Sequence, residues 1–397
     1  MSMLLACIAA LGMSMAGPAR AMTPEQEKAV ATGLDALYRC DYEGAEGLFA
    51  RGISEHPGDP VYSLGYAAAL WWRMENDLAG PDSPQEHAFY KAVGLAIDDA
   101  KRERRSGRKA EGYLYLGAAR GLKARREASQ HRWVAAYVDG RRSYRDERKA
   151  IELDPGLYDA YLGLGAYDYY VATLSRLVRV LTFTSGGNKA KGLSELRLAA
   201  EHGQYSRTAA KLLLVGIYWT LEKNPREAWN ILQELRGGLP ESPLIDSMRL
   251  IGLYHLHDAA GLKIEAAAML AKAESGKPFY RRIDRAGALY FLGLAEQLSG
   301  GYTRALEHYE AALRDIPEGH PLRGLVELFV GESLDLLGRR DDAVAAYRRA
   351  LKEPPLWGVP RYARHLISHP YAKSLDPLPP RSVDLGGTSS LEASGSL

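Results

Sequence analysis

Cysteine is nearly missing from this sequence of 397 residues, which has only Cys7 and Cys40. Cys7 lies inside an apolar N-terminal stretch, so a chain trimmed of that stretch keeps Cys40 alone and cannot form an internal disulfide. Cys40 reads as a small buried side chain rather than a reactive thiol. Net charge is also nearly missing: 51 Lys and Arg stand against 49 Asp and Glu, and a balance of +2 names no partner. Beyond the N-terminus no run is long and uncharged enough to span a membrane, and the nearest, 171–183, carries Arg176 and Arg179. Catalytic signatures are absent as well: there is no G-x-S-x-G, H-E-x-x-H, phosphate-binding loop or CxxC. His255 and His257 are two apart and point to different sides of a helix. His365 and His369 share a face but have no third ligand motif nearby. The pairs Asp98-Asp99 and Asp341-Asp342 read as solvated surface and capping. We therefore expect no catalytic residues, no cofactor and no metal.

What is present is the composition of a folded protein, with 46% hydrophobic and 25% charged residues. The first residues read as a secretory leader. Met3 to Met15 is an apolar run of the right length, followed by Gly17-Pro18 and the small-x-small trio Ala19-Arg20-Ala21. Cleavage there makes 1–21 a signal peptide and Met22 the mature start. No Lys or Arg precedes the run, which points to a natural start further upstream. Leu4-Leu5-Ala6-Cys7 has the look of a lipoprotein box, but the apolar run continues past Cys7, which favours simple cleavage. The expected location is exported, periplasmic or envelope-associated.

The dominant signal is an internal repeat. Leu292-Gly293 is followed by Ala305, Tyr309, Ala312 and Pro317, and Val330-Gly331 by Ala343, Tyr347, Ala350 and Pro355 at identical offsets. Gly33, Ala45, Phe49, Gly52 and Pro57 repeat the spacing, as do Gly216, Ala228, Leu232, Leu235 and Pro240. Small residues at fixed offsets let two antiparallel helices approach closely, and the aromatic fills the space beside them. Proline then stops the second helix and sets the next turn.

This pattern resembles the tetratricopeptide repeat family, most closely from Leu292-Gly293 through Pro317, with Lys149 to Pro155 similar to the end of a second helix. The resemblance implies an all-α fold, a right-handed solenoid of antiparallel helix hairpins with a concave groove lined by first helices. It spans 22–372, with regular repeats near 26–59, 208–241 and 286–356. The pairs are elongated and irregular over 60–205, and 243–275 is divergent. Asp59-Pro60 and Ser83-Pro84 read as helix starts, Tyr158 to Phe183 as an overlong first helix, and Ser185 to Asn188 as a turn. About eight helix pairs result. The Pro-, Ser- and Gly-rich stretch 373–397 reads as a disordered tail.

Two surfaces are candidates for binding. At first-helix positions expected to face the groove stand Tyr62, Tyr66, Leu114, Ala118, Leu164 and Tyr167, an apolar and aromatic lining for a protein or peptide segment. Most other aromatics, Trp71 and Trp72 among them, read as packing residues. The Lys and Asn clamp with which some family members hold a terminal carboxylate is missing, which disfavours chaperone tails. The second surface is basic: residues 101–149 hold 16 Lys and Arg against 6 Asp and Glu, a local balance of +10. Arg102, Arg104, Arg105 and Arg108 lead that cluster and could dock an anionic envelope surface or simply form a solvated face. Nucleic acid suits an exported protein poorly. The chain therefore reads as a scaffold or adaptor of the cell envelope. The alternatives are a module acting on an envelope polymer, or a spacer.

Overall fold

The capping chemistry written in the sequence starts the helices where it should. In the computed structural model, which describes residues 23–78, 83–173, 187–355 and 357–372, Asp59 and Ser83 each accept a backbone N–H, and Pro60 and Pro84 follow as first helical residues. The leader, the tail and the far half of the overlong helix expected over 158–183 lie outside the described residues. A short 3-10 turn, Tyr158–Ala160, opens the near half of that helix.

The described residues form seventeen α-helices and no strand. They pair into eight antiparallel hairpins, each packed on the next, with a single closing helix. The pairs are α1 (Pro24–Tyr38) with α2 (Tyr42–Glu55), α3 (Pro60–Asn76) with α4 (Pro84–Arg105), and α5 (Lys109–Ser129) with α6 (Trp133–Leu153). Next come α7 (Tyr161–Thr173) with α8 (Lys189–His202), α9 (Arg207–Thr220) with α10 (Pro225–Gly238), and α11 (Pro243–His255) with α12 (Ala259–Glu274). Then follow α13 (Arg282–Leu298) with α14 (Tyr302–Asp315), α15 (Leu322–Leu336) with α16 (Arg340–Ala350), and the closing α17 (Val359–Ser368). The protein is an all-α solenoid.

One contact recurs through the regular hairpins. A Cβ on Gly293 would overlap the Tyr309 ring, one on Gly331 the Tyr347 ring, and one on Gly33 the Phe49 ring. Glycine on the first helix is therefore the slot that receives the aromatic of the second. The buried tyrosines keep their hydroxyls satisfied. Tyr309 donates to Gln297 Oε1 at 2.9 Å, and Tyr347 donates to Asp335 Oδ2 at 2.9 Å. The alanines of the motif, Ala305, Ala312 and Ala343, are fully buried beside these rings.

The α5–α6 hairpin is stretched but keeps the same register. Both helices have 21 residues, against 14 in α14. A Cβ on Gly117 would overlap Glu147, which thus occupies the slot position of the missing aromatic. Ser143 and Ala150 hold the two small positions, and Pro155 ends the unit. Fourteen extra residues shared by two helices are seven each, close to two turns, and a heptad returns a helix face to within about 20°.

The solenoid also closes on itself. Tyr38 at the end of α1 packs among the leucines of α9, and the Ser242 hydroxyl donates to its carbonyl. Arg281 donates to Asp77 at 2.6 Å, a contact spanning 204 residues of sequence. Leu244 of α11 packs against the Leu37 and Cys40 cluster. The apolar edge of α1 and α3 at Leu34, Tyr38 and Trp72 is therefore covered by the chain's own α9 and α11.

We expect Ala305→Leu and Ala343→Leu each to lower stability by about 1–3 kcal/mol, because a filled crossing has no room for three more carbons. Chemical denaturation measures this, and unchanged midpoints for both would remove these alanines from the crossing.

Candidate interaction surface

The α5–α6 hairpin is built around polar groups where its neighbours are built around rings. The buried face of α6 carries Asp139, Ser143, Glu147 and Ala150. The Ser143 hydroxyl donates to the Gly117 carbonyl at 2.8 Å, and a Cβ on Gly121 would crowd that hydroxyl. Lys123 bridges Asp139 at 2.5 Å and Glu127 at 3.2 Å, and Arg120 pairs with Asp146. On the other side of α5 the buried Arg126 reaches Glu75 and Glu86, each at 3.3 Å.

A second polar group lies between α6, α7 and α8. Lys191 Nζ sits 2.5 Å from Asp168 and 3.2 Å from Glu195, and both carboxylates are buried. Glu147 lies against Gly163 of α7, only 3% exposed, and its Oε2 has no hydrogen-bond partner among the described residues. Burial, reinforced by the charges of Asp146 and Glu195, holds the Glu147 carboxyl well above the usual carboxylate range. The neutral acid is the form this site favours.

The outer face of α6 has the opposite character. Val134, Val138, Arg141, Arg145 and Arg148 fall at spacings of four, three, four and three, which is one helical stripe, and all are exposed. Val134 is 80% exposed, and Trp133 beside it is also exposed. Between this ridge and α7 runs an aromatic flank. Tyr144 and Tyr167 lie 4.6 Å apart, and Lys191 Nζ sits 5.8 Å from the Tyr144 ring. Burial and the neighbouring Tyr137 push the Tyr167 hydroxyl up to about 12.

The six residues expected to line a groove do not converge on one surface. Tyr62 is buried, its ring filling the slot over Gly52 and stacked 5.2 Å from His56. Leu164 is buried beside the α7–α8 crossing, where Gly165 meets the backbone of Gly192. These two are core residues, which corrects the expectation that they face solvent. Tyr66 and Leu114 are half-buried, as is Ala118, and they lie on different hairpins. Tyr167 is half-buried as well, and its ring meets that of Tyr144 beside Lys191.

The leading arginines also have structural partners. Arg102 pairs with the buried Asp99, and Arg108 with the buried Glu103 at 2.5 Å. The Arg104 guanidinium sits 5.1 Å from the centre of the Tyr113 ring. Of the four, Arg105 alone has neither an ion pair nor a ring contact among the described residues. The α6 ridge was missed by sequence reasoning. Its signal was available: Gly117 to Pro155 is fourteen residues longer than Gly293 to Pro317.

Comparison with known proteins adds little. No family model matches the chain, and no curated protein matches it. Among solved structures, a chain of the human IFIT1 dimer with m7Gppp-AAAA is similar at 16% identity, over 82% of this chain and 72% of that one, with a TM-score of 0.29. Two chains that superpose so poorly share too little for one to inform the other's ligand.

Glu147 supplies a pH test. Its folded pKa lies above the unfolded value near 4.5, so the folded state holds this proton more tightly. That contribution is full below the unfolded pKa and is lost as pH rises through the folded one. Glu147→Gln keeps the neutral shape, so we expect melting about 2 °C higher at pH 8 and no gain near pH 4. Equal effects at both pH values would show that folding does not shift the pKa of Glu147.

Proposed function

We propose that this chain is an exported, non-enzymatic scaffold of the tetratricopeptide type that holds a protein or peptide partner in the cell envelope. The reading rests on one observation above others. Tyr137 and Tyr144 of α6, Tyr167 of α7 and Lys191 of α8 form an aromatic and cationic flank beside the stretched hairpin, whereas the inner edge at Tyr38 and Trp72 is covered by the chain itself. Helix hairpins stacked in series suit such a role, since each buries one side on its neighbours and leaves another free. Tyrosine rings give large contact area at small entropic cost. The partner surface is accordingly placed on this flank, with Tyr167 retained from the sequence expectation.

The rival reading, a module acting on an envelope polymer, needs an acid and a base facing a cleft. Glu147, Asp168 and Glu195 are buried between helices, with Lys191 held against two of them, which supports a structural role for the group. Export is supported by the leader pattern of residues 1–21.

Two measurements test the proposal. A photo-crosslinking residue at position 167 should give a discrete adduct in intact cells, and Tyr144→Asp should abolish it. An adduct indifferent to Tyr144, or none at all, would remove the flank as a partner surface. Mass measurement of the purified protein should give a chain starting at Met22, and a cytosolic product that keeps Met1 would remove the envelope part.

A further inference from the structure

We infer that the outer ridge of α6 is a docking surface for an anionic lipid bilayer. The ridge borders the tyrosine flank, with Arg141 near enough to Tyr167 for its charge to act on that hydroxyl, and the test below reads lipid binding apart from any protein partner. Its first part is apolar: Val134 is 80% exposed, Val138 39% and Trp133 38%, all within the first two turns of the helix. Its second part is cationic. Arg141 and Arg145 continue the stripe and have no ion-pair partner among the described residues, while Arg148 has only an exposed contact with Glu152 at 3.6 Å.

Three features favour a bilayer over an acidic protein. The ridge is the outward stripe of a single helix, and such a stripe can lie along a plane. Isolated valines pointing away from the fold gain nothing from a polar acidic partner, but they can enter the boundary between headgroups and acyl chains. Tryptophan favours that boundary, and arginines on the same helix can meet lipid phosphates. The polarity of α6 is also inverted, with Asp139, Ser143 and Glu147 facing inward and valine outward. Burial within the chain therefore does not account for the valines. Arg141 and Arg145, which have no ion-pair partner among the described residues, supply the charge that such a surface attracts.

The test is flotation of the purified mature chain with vesicles of phosphatidylcholine, alone or mixed with phosphatidylglycerol. We expect binding to the mixed vesicles only, weakening with added salt as screening requires. Arg141→Glu/Arg145→Glu should weaken binding about tenfold or more, given the strength of cation–lipid attraction near a charged surface. Val134→Ser/Val138→Ser should weaken it without changing net charge. Arg361→Glu/Arg364→Glu, exposed on α17, changes net charge equally and should leave binding within about twofold, because screening confines the effect to nearby charges. All these positions are exposed, and circular dichroism checks that each variant folds. No binding to mixed vesicles overturns the proposal, as does equal binding to neutral ones or equal weakening by both arginine pairs. Binding to polyglutamate without binding to vesicles would assign the ridge to an acidic protein instead.

Discussion

The approach of two helices at a glycine, with the ring of the second helix seated over it, is the constraint on which the rest of this structure depends. It fixes how deeply Tyr309 and Tyr347 sit, and therefore where their hydroxyls find Gln297 and Asp335. It fixes the distance between successive hairpins, because a ring in a slot cannot slide along the helix. Packing this close makes the stack cooperative and intolerant of added volume. The same slot holds Phe49 between two glycines, Gly33 in its own hairpin and Gly65 in the next, so one side chain ties two repeats.

Helical periodicity explains how the solenoid absorbs a hairpin half again as long. Adding seven residues to each of two helices changes length by about 10 Å per helix but leaves the inward face nearly unrotated. The slot over Gly117 is preserved, and only its occupant changes, from a ring to the carboxyl of Glu147. A carboxyl in a slot shaped for a ring is buried, and among the described residues no cation pairs with it, so its proton is held firmly. The polar interior then requires Lys123, Arg120 and Arg126 as internal counter-ions. The Arg126–Glu86 pair is buried on both sides, and breaking such a pair costs about 3–5 kcal/mol, so this cation belongs to the fold rather than to a surface.

Much of the fold was legible because its signals are local. The offsets from Gly293 to Pro317 and from Gly331 to Pro355 name the hairpin, and Asp59-Pro60 and Ser83-Pro84 mark helix starts where the helices do begin. The stretched pair was legible as helices but not as a repeat in register, since its key residues, Ser143 and Glu147, are polar substitutes for small and aromatic ones. The site was less legible. Tyr62 and Tyr167 look alike in sequence, yet one fills the slot over Gly52 and the other meets Tyr144 near the surface. The closure of α1 and α3 on α9 and α11 has no local signature, because it joins residues more than 200 apart, as in the Arg281–Asp77 pair.

The basic segment 101–149 shows why charge counts locate surfaces poorly. Its cations divide by geometry into those that neutralise buried carboxylates, such as Arg102, Arg108 and Lys123, and those that point outward, such as Arg105, Arg141 and Arg145. The first group is tied to the polar interior of the hairpin and the second is not. The exposed valines stand in the same relation to the fold. Hydrophobic side chains contribute to stability by leaving water, and Val134, 80% exposed, has not left it. Neither the outward arginines nor these valines are required by the packing that surrounds them. Their alignment on one stripe, apolar first and cationic after, is therefore best explained by something that the stripe meets outside the chain.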